Sequence, residues 1–228
     1  LIKKEAEMRE KIRLILNILI VLCVAAAWTG MILRWGDGNL LTTAGFANLK
    51  YFTVLSNLLE GLASLVFVIY SLNGKRRARN RHSFTAKRQA SAIPDSLEIL
   101  KYVAAVAVGV TLLVVMGMFG PLYGYMAMLG GANLFFHLVV PVLAILEVLL
   151  LAPFKANAGE NVLALIPTIL YAVYYVVNMI LNGVGEWPDT NDWYGFLNWG
   201  IPGAVGIAAG IFAVTYVIGL ILRKAARG

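Results

Sequence analysis

The chain has 228 residues, 60% hydrophobic and only 14% charged, where a soluble domain carries about a quarter charged residues. Most of its surface is therefore not made for water, and an integral membrane protein is expected. The net charge of +7 falls in the gaps between apolar runs, which argues against the solvated basic face of a nucleic-acid binder; the single Cys23 excludes an internal disulfide and a CxxC metal site.

The amino end, KKEAEMREKIR, leads into a first apolar stretch at about 14–34, too long and too charged at its flank for a simple cleaved signal. Further stretches follow at about 51–72, 97–119, 132–152, 161–181 and 202–222, each near the ~20 residues that cross a bilayer as a helix. Only helices and closed barrels satisfy their backbone in lipid, and the alternation of barrel strands is missing. The expected fold is all-α: one six-transmembrane-helix bundle over residues 1–228.

Basic residues orient it. Lys3, Lys4, Arg9, Lys11 and Arg13 precede the first span, and the polar loop 74–96 (GKRRARNRHSFTAKRQASAIPDS) separates the second from the third. Lys155 follows the fourth span, and Arg223, Lys224 and Arg227 follow the sixth. The opposite side has Arg34 and Lys50 with acidic Asp37, Glu186, Asp189 and Asp192. The positive-inside rule then puts both termini in the cytoplasm, with Lys101 snorkelling at the inner end of span three. The 74–96 loop reads as a topology determinant, with anionic lipid heads as an alternative ligand, and its His82 as a solvated residue. GIAAG in span six brings Gly206 and Gly210 to the spacing of close helix packing. Pro141 and Pro167 each invite a kink.

Polar groups inside spans mark function, and they gather on three helices. Span two has Thr53, Ser56, Asn57 and Glu60; span four has Asn133, His137 and Glu147; span five has Tyr171, Tyr174, Tyr175, Asn178 and Asn182. Their spacings form stripes, so a polar-lined cavity among spans two, four and five is expected, with Tyr171, Tyr174 and Asn178 on its wall. Thr53 and His137 lie at similar depth from the outer end, and a hydroxyl beside an imidazole is the arrangement of nucleophilic acyl transfer. Asn57 or Asn133 would serve the oxyanion, Ser56 is a substitute nucleophile, and Glu60 would orient His137 directly or through water. No metal, cofactor or nucleic-acid partner is expected.

YFTVLSNLL in span two and FFHLVVPVLAILE in span four resemble the six-helix androgen-induced protein family, which includes the androgen-dependent TFPI-regulating protein and bacterial relatives. The resemblance implies a plasma-membrane threonine hydrolase acting on fatty acid esters of hydroxy fatty acids, with Thr53 as nucleophile and His137 as base. The segment GEWPDTNDWYGFLNWG, 185–200, departs from the Tyr/Pro/Phe-rich family pattern. Its Trp187, Trp193, Tyr194 and Trp199 suit an interfacial belt or a lid over the cavity, with Asp189 and Asp192 facing water. Two other readings stand beside the hydrolase: a small-molecule or proton-coupled transporter built on Glu60, Glu147 and His137, and a non-catalytic lipid-binding protein.

Overall fold

Long apolar runs rich in Leu, Ala, Val and Ile leave the backbone no partner but itself, and six helices form. In a computed structural model, which describes residues 2–34, 45–79, 93–152, 156–186 and 189–226, they are the only extended elements. They are α1 (Ile2–Ile32), α2 (Phe52–Arg79), α3 (Asp95–Tyr123), α4 (Phe135–Leu150), α5 (Ala158–Asn182) and α6 (Phe196–Ala225). All but α4 are long and apolar enough to cross a membrane; α4 is apolar but shorter. Asp37, Arg81, His82, Lys87, Arg88, Lys155, Trp187 and Arg227 lie outside the described residues.

Helix α1 starts at Ile2 rather than near residue 14. Its charged first turns are made of good helix formers and carry an exposed Glu5–Arg9 pair one turn apart, at 3.4 Å. The prolines act at helix starts rather than as simple kinks. Pro141 has no N–H to return to the carbonyl of His137, and the chain takes a widened π turn over Phe135–Val139 just before it. Pro167 sits in the first turn of Ile166–Asn182, after a break in α5 at 164–165.

Hydrogen bonds between helices fix their directions. Arg13, early in α1, bonds Glu98, early in α3, and Glu147, late in α4. Asn57, early in α2, bonds the Phe136 carbonyl, early in α4. The Tyr102 hydroxyl, early in α3, donates to Asn161 Oδ1, early in α5, at 2.7 Å and to the Gly219 carbonyl, late in α6, at 2.9 Å. The helices therefore alternate in direction, and Arg13 and Arg223 line one small cleft at the end that carries both termini.

Helix α3 is the central one: 56% of its apolar window is buried, against 17% for α5 and α6. Ile20, Val24, Val106, Phe136, Val140 and Ala144 pack into the core around it. Leu22, Ile180, Leu181 and Ile201 point outward, each more than half exposed, on an apolar surface that suits lipid rather than water. Gly219 is required where α6 crosses α3 and α5, because a Cβ there would strike Asn161 Oδ1. Gly206 and Gly210 have no such role: a Cβ on either would meet nothing within 4 Å, so the expected close packing inside the chain does not occur at GIAAG.

The largest departure from expectation is a sealed ionic cluster. Arg13 grips Glu98 through two bonds of 2.6 and 2.5 Å and reaches Glu147 at 2.8 Å. Its guanidinium also stands 4.4 Å from the centre of the Phe67 ring. Lys101 bonds Glu60, lies 2.8 Å from Glu147 and donates to Ser64 Oγ at 2.7 Å. None of the five charged residues is more than 5% exposed. Lys101 thus does not snorkel: carboxylates from α2 and α4 stand at its level, and an unpaired buried charge costs several kcal/mol. Glu60 is taken up by Lys101 and Ser64 and makes no hydrogen bond to His137.

Removing one partner of such a cluster strands the others. Glu147→Ala, which faces two cations, should lower unfolding stability in detergent by about 3–5 kcal/mol, read as a fall in Tm. Arg9→Ala, which breaks only the exposed Glu5–Arg9 pair, should leave Tm nearly unchanged.

Candidate functional site

Where α2 begins, its first turn meets α3, α5, α6 and the segment before α6 around a cavity of about 370 Å³, within the range of small-ligand sites. Its wall is mainly apolar, from residues such as Val114, Met118, Val176, Ala208 and Phe212. The polar groups on it are the hydroxyls of Thr53, Thr111, Thr168, Tyr171, Tyr175 and Tyr194. This corrects the expected polar cavity among the second, fourth and fifth spans, since α4 contributes nothing to the wall. The polar face of α2 is consumed by neighbouring helices instead. Ser56 Oγ sits 3.1 Å from both the Thr53 carbonyl and Thr111 Oγ1, and is buried away from the cavity.

Nearly every hydroxyl on the wall already has a partner. Thr111 meets Ser56, and Thr168 lies 3.4 Å from Thr215 Oγ1. Tyr171 donates to the Lys50 carbonyl at 2.7 Å, and Tyr175 donates to Asp192. Tyr194 accepts the Phe52 N–H at 2.9 Å, on the first turn of α2. Among the described residues the Thr53 hydroxyl has no hydrogen-bond partner, which leaves it free toward whatever fills the cavity.

His137 sits in the π turn of α4, 8% exposed, with Nδ1 2.5 Å from the Met128 carbonyl. That carbonyl can only accept, so Nδ1 carries the proton and Nε2 keeps its lone pair. His137 does not line the cavity, and no hydrogen bond joins it to Thr53 among the described residues. What links the two positions is Asn57. Its amide donates to the Thr53 carbonyl at 2.7 Å and to the Phe136 carbonyl at 2.9 Å, clamping the turn that carries Thr53 to the residue before His137. Asn57 is thereby committed to the backbone and has no N–H left for an oxyanion. Asn133 is buried beside α4, off the cavity wall. Tyr171 lines the cavity as expected, but Tyr174 and Asn178 do not. Tyr174 packs on Trp193 at the surface, and Asn178 donates to Asn191 Oδ1 at 2.9 Å.

Tyr194, just before α6, and Phe196 and Leu197, in its first turn, close the cavity's end. Asp192 does not face water: it is 5% exposed and accepts from the Phe196 and Leu197 N–H groups at 2.9 and 2.8 Å as well as from Tyr175. It caps the short helical turn Phe196–Trp199. Asp189 and Trp199 are exposed, while Trp193 is buried and donates to the Tyr171 hydroxyl. Sequence reasoning placed Tyr194 in an aromatic loop but not on the α2 turn; nothing in its spacing reveals that contact. Burial pushes the Tyr194 phenol up to about 12, so it stays a neutral hydrogen-bonding group at physiological pH.

No protein-family model, curated protein or solved structure gives a significant match to this chain.

Because Asp192 holds three donors, Asp192→Ala leaves two backbone N–H groups and a phenol without their acceptor. It should destabilise the lid by roughly 1–3 kcal/mol, seen as faster amide exchange across residues 189–199 while exchange in α3 is unchanged.

Proposed function

We propose that this is a six-span membrane protein with both termini cytoplasmic, and that it hydrolyses a lipid ester whose acyl chain lies in the cavity. The observation that carries this reading is the unpartnered Thr53 hydroxyl at the end of a largely apolar cavity. The orientation is supported by Lys4, Arg9, Lys11, Arg223 and Lys224 at the end that bears both termini. Thr53 then faces the outer leaflet.

In this mechanism Thr53 Oγ1 attacks the ester carbonyl while His137 Nε2 takes its proton. Collapse of the tetrahedral intermediate breaks the bond to the alcohol, which leaves with the proton from His137. Water, deprotonated by the same nitrogen, then releases the fatty acid and restores Thr53. The Nδ1–Met128 bond supports this role, because it leaves Nε2 as the basic nitrogen. Catalysis requires Thr53 Oγ1 to come within reach of Nε2 on substrate binding, as catalytic hydrogen bonds often tighten only in the complex. Tyr194, a neutral phenol on the same wall as Thr53, is the oxyanion donor assigned here. By resemblance, the substrates are fatty acid esters of hydroxy fatty acids.

The missing Thr53–His137 bond favours a second reading, a protein that binds acyl chains without cleaving them. Long-chain ester hydrolysis in detergent separates the two. Turnover by the wild type should be lost in Thr53→Ala, fall about 10²–10⁴-fold in His137→Ala, and survive in Thr53→Ser. Undiminished turnover in either alanine variant sinks the pair, and binding without turnover in the wild type selects the second reading. Independently, Ala208→Trp should fill the cavity and abolish binding of a fluorescent long-chain fatty acid, with no change in the short-chain ester reaction.

A further inference from the structure

The ionic cluster holds three carboxylates, Glu60, Glu98 and Glu147, against two cations, Arg13 and Lys101. Arg13 is matched by its two-bond grip on Glu98, and Lys101 is matched by Glu147, which also reaches Arg13. One negative charge is left over, in a cluster where no charged residue is more than 5% exposed. Glu60 is the one carboxylate of the three with no contact to Arg13; its only cation is Lys101, which it shares with Glu147.

The hydrogen bonds point the same way. Glu60 Oε1 receives both Lys101 and Ser64, but Glu60 Oε2 is buried with no donor. One turn earlier on the same helix, Asn57 Oδ1 is also buried with no donor. The orientation of that amide is settled by its surroundings, because its nitrogen faces two carbonyls that can only accept. Both residues are 0% exposed. Residues three apart on a helix are neighbours, so the two orphaned acceptors belong to one face of α2. A single proton satisfies both: Glu60 becomes a carboxylic acid whose Oε2–H donates to Asn57 Oδ1.

We propose that Glu60 is a proton-binding site, and that its bound proton bridges Glu60 to Asn57. The groups around Glu60 are consistent with this. Helix α3 brings Lys101, α4 brings Glu147 on the same ammonium, and α2 itself brings Ser64; Arg13 of α1 and Glu98 of α3 pair with each other beyond Glu147. The only charged side chain on α5 is Glu160, engaged in a capping box at that helix's start. A metal ion would need room among several oxygens; a proton needs none. The cluster does have a cleft of about 10 Å³ beside Arg13, Glu98 and Lys101, close to the smallest space that admits one water. It lies at the end carrying the termini and reaches Lys101, the residue that holds Glu60. Because Asn57 also clamps the Thr53 turn to α4, the bridge ties the protonation of Glu60 to the packing of α2 against α4. This proposal does not depend on the hydrolase reading.

The test is infrared spectroscopy of the full chain in detergent at neutral pH, with Glu60→Gln as the variant. The wild type should show the carbonyl stretch of a hydrogen-bonded carboxylic acid, and Glu60→Gln should lack it. Glutamine copies the neutral acid, offering a donor to Asn57 and an acceptor to Lys101, so this variant should fold and melt close to the wild type. Glu147→Gln, which removes a charge that two cations need, should melt well below both. Absence of the band, its survival in Glu60→Gln, or a frequency of a free acid overturns the proposal. Failure of Glu60→Gln to fold, or a loss of Tm equal to that of Glu147→Gln, overturns it as well.

Discussion

One ammonium group, on Lys101 of α3, is shared by carboxylates from α2 and α4, and the arrangement of half the bundle depends on it. Packing apolar side chains against one another gains little in a membrane, where lipid tails are equally apolar. Register between helices then comes from groups that lipid cannot satisfy. Arg13 extends the same network to α1, so α1 to α4 are joined at one level. Helices α5 and α6 have sparser polar ties: the Tyr102 bonds to Asn161 and Gly219, and the Thr168–Thr215 contact. The cavity opens between α3 and these two helices, where no ionic bond draws the elements together.

The helices were readable from hydropathy because each is an apolar run, five of them long enough to cross a membrane, and polar α2 residues were readable as inward-facing because lipid does not tolerate them. Their partners were harder to see. Arg13 and Lys101 lie near helix ends, where positive charge normally reports topology and reaches toward headgroups, so nothing local marked them as buried. The clue available was that Glu60 and Glu147 sit in spans and must be neutralised by something. The position of the cavity was hidden for a related reason: side chains with hydrogen-bonding capacity were expected to line it, whereas most of them are used between helices. Thr53 was legible as an inward-facing residue on α2, and it lines the cavity; Tyr194 was not legible there, because its contact joins positions separated by most of the chain.

Helix α4 shows how the cluster bears on membrane fit. Residues Phe135–Leu150 extend roughly 24 Å at 1.5 Å per residue, less than the ~30 Å of a hydrocarbon core. Phe136, Val140, Ala144 and Glu147 are all fully buried, so one face of this helix sees neighbouring helices instead of lipid. A short helix held along one face in this way does not have to match bilayer thickness by itself, and His137, in its π turn, is buried.

The phenol of Tyr194 also gives the loop before α6 a mechanical role. It holds the Phe52 N–H, while Tyr171 and Trp193 run from the Lys50 carbonyl back into the same loop. The position of the loop and the start of α2 are thus tied through one bond, at the turn beside Thr53. The loop is therefore a fastener as well as a cover: one phenol both lines the cavity and holds the turn beside Thr53.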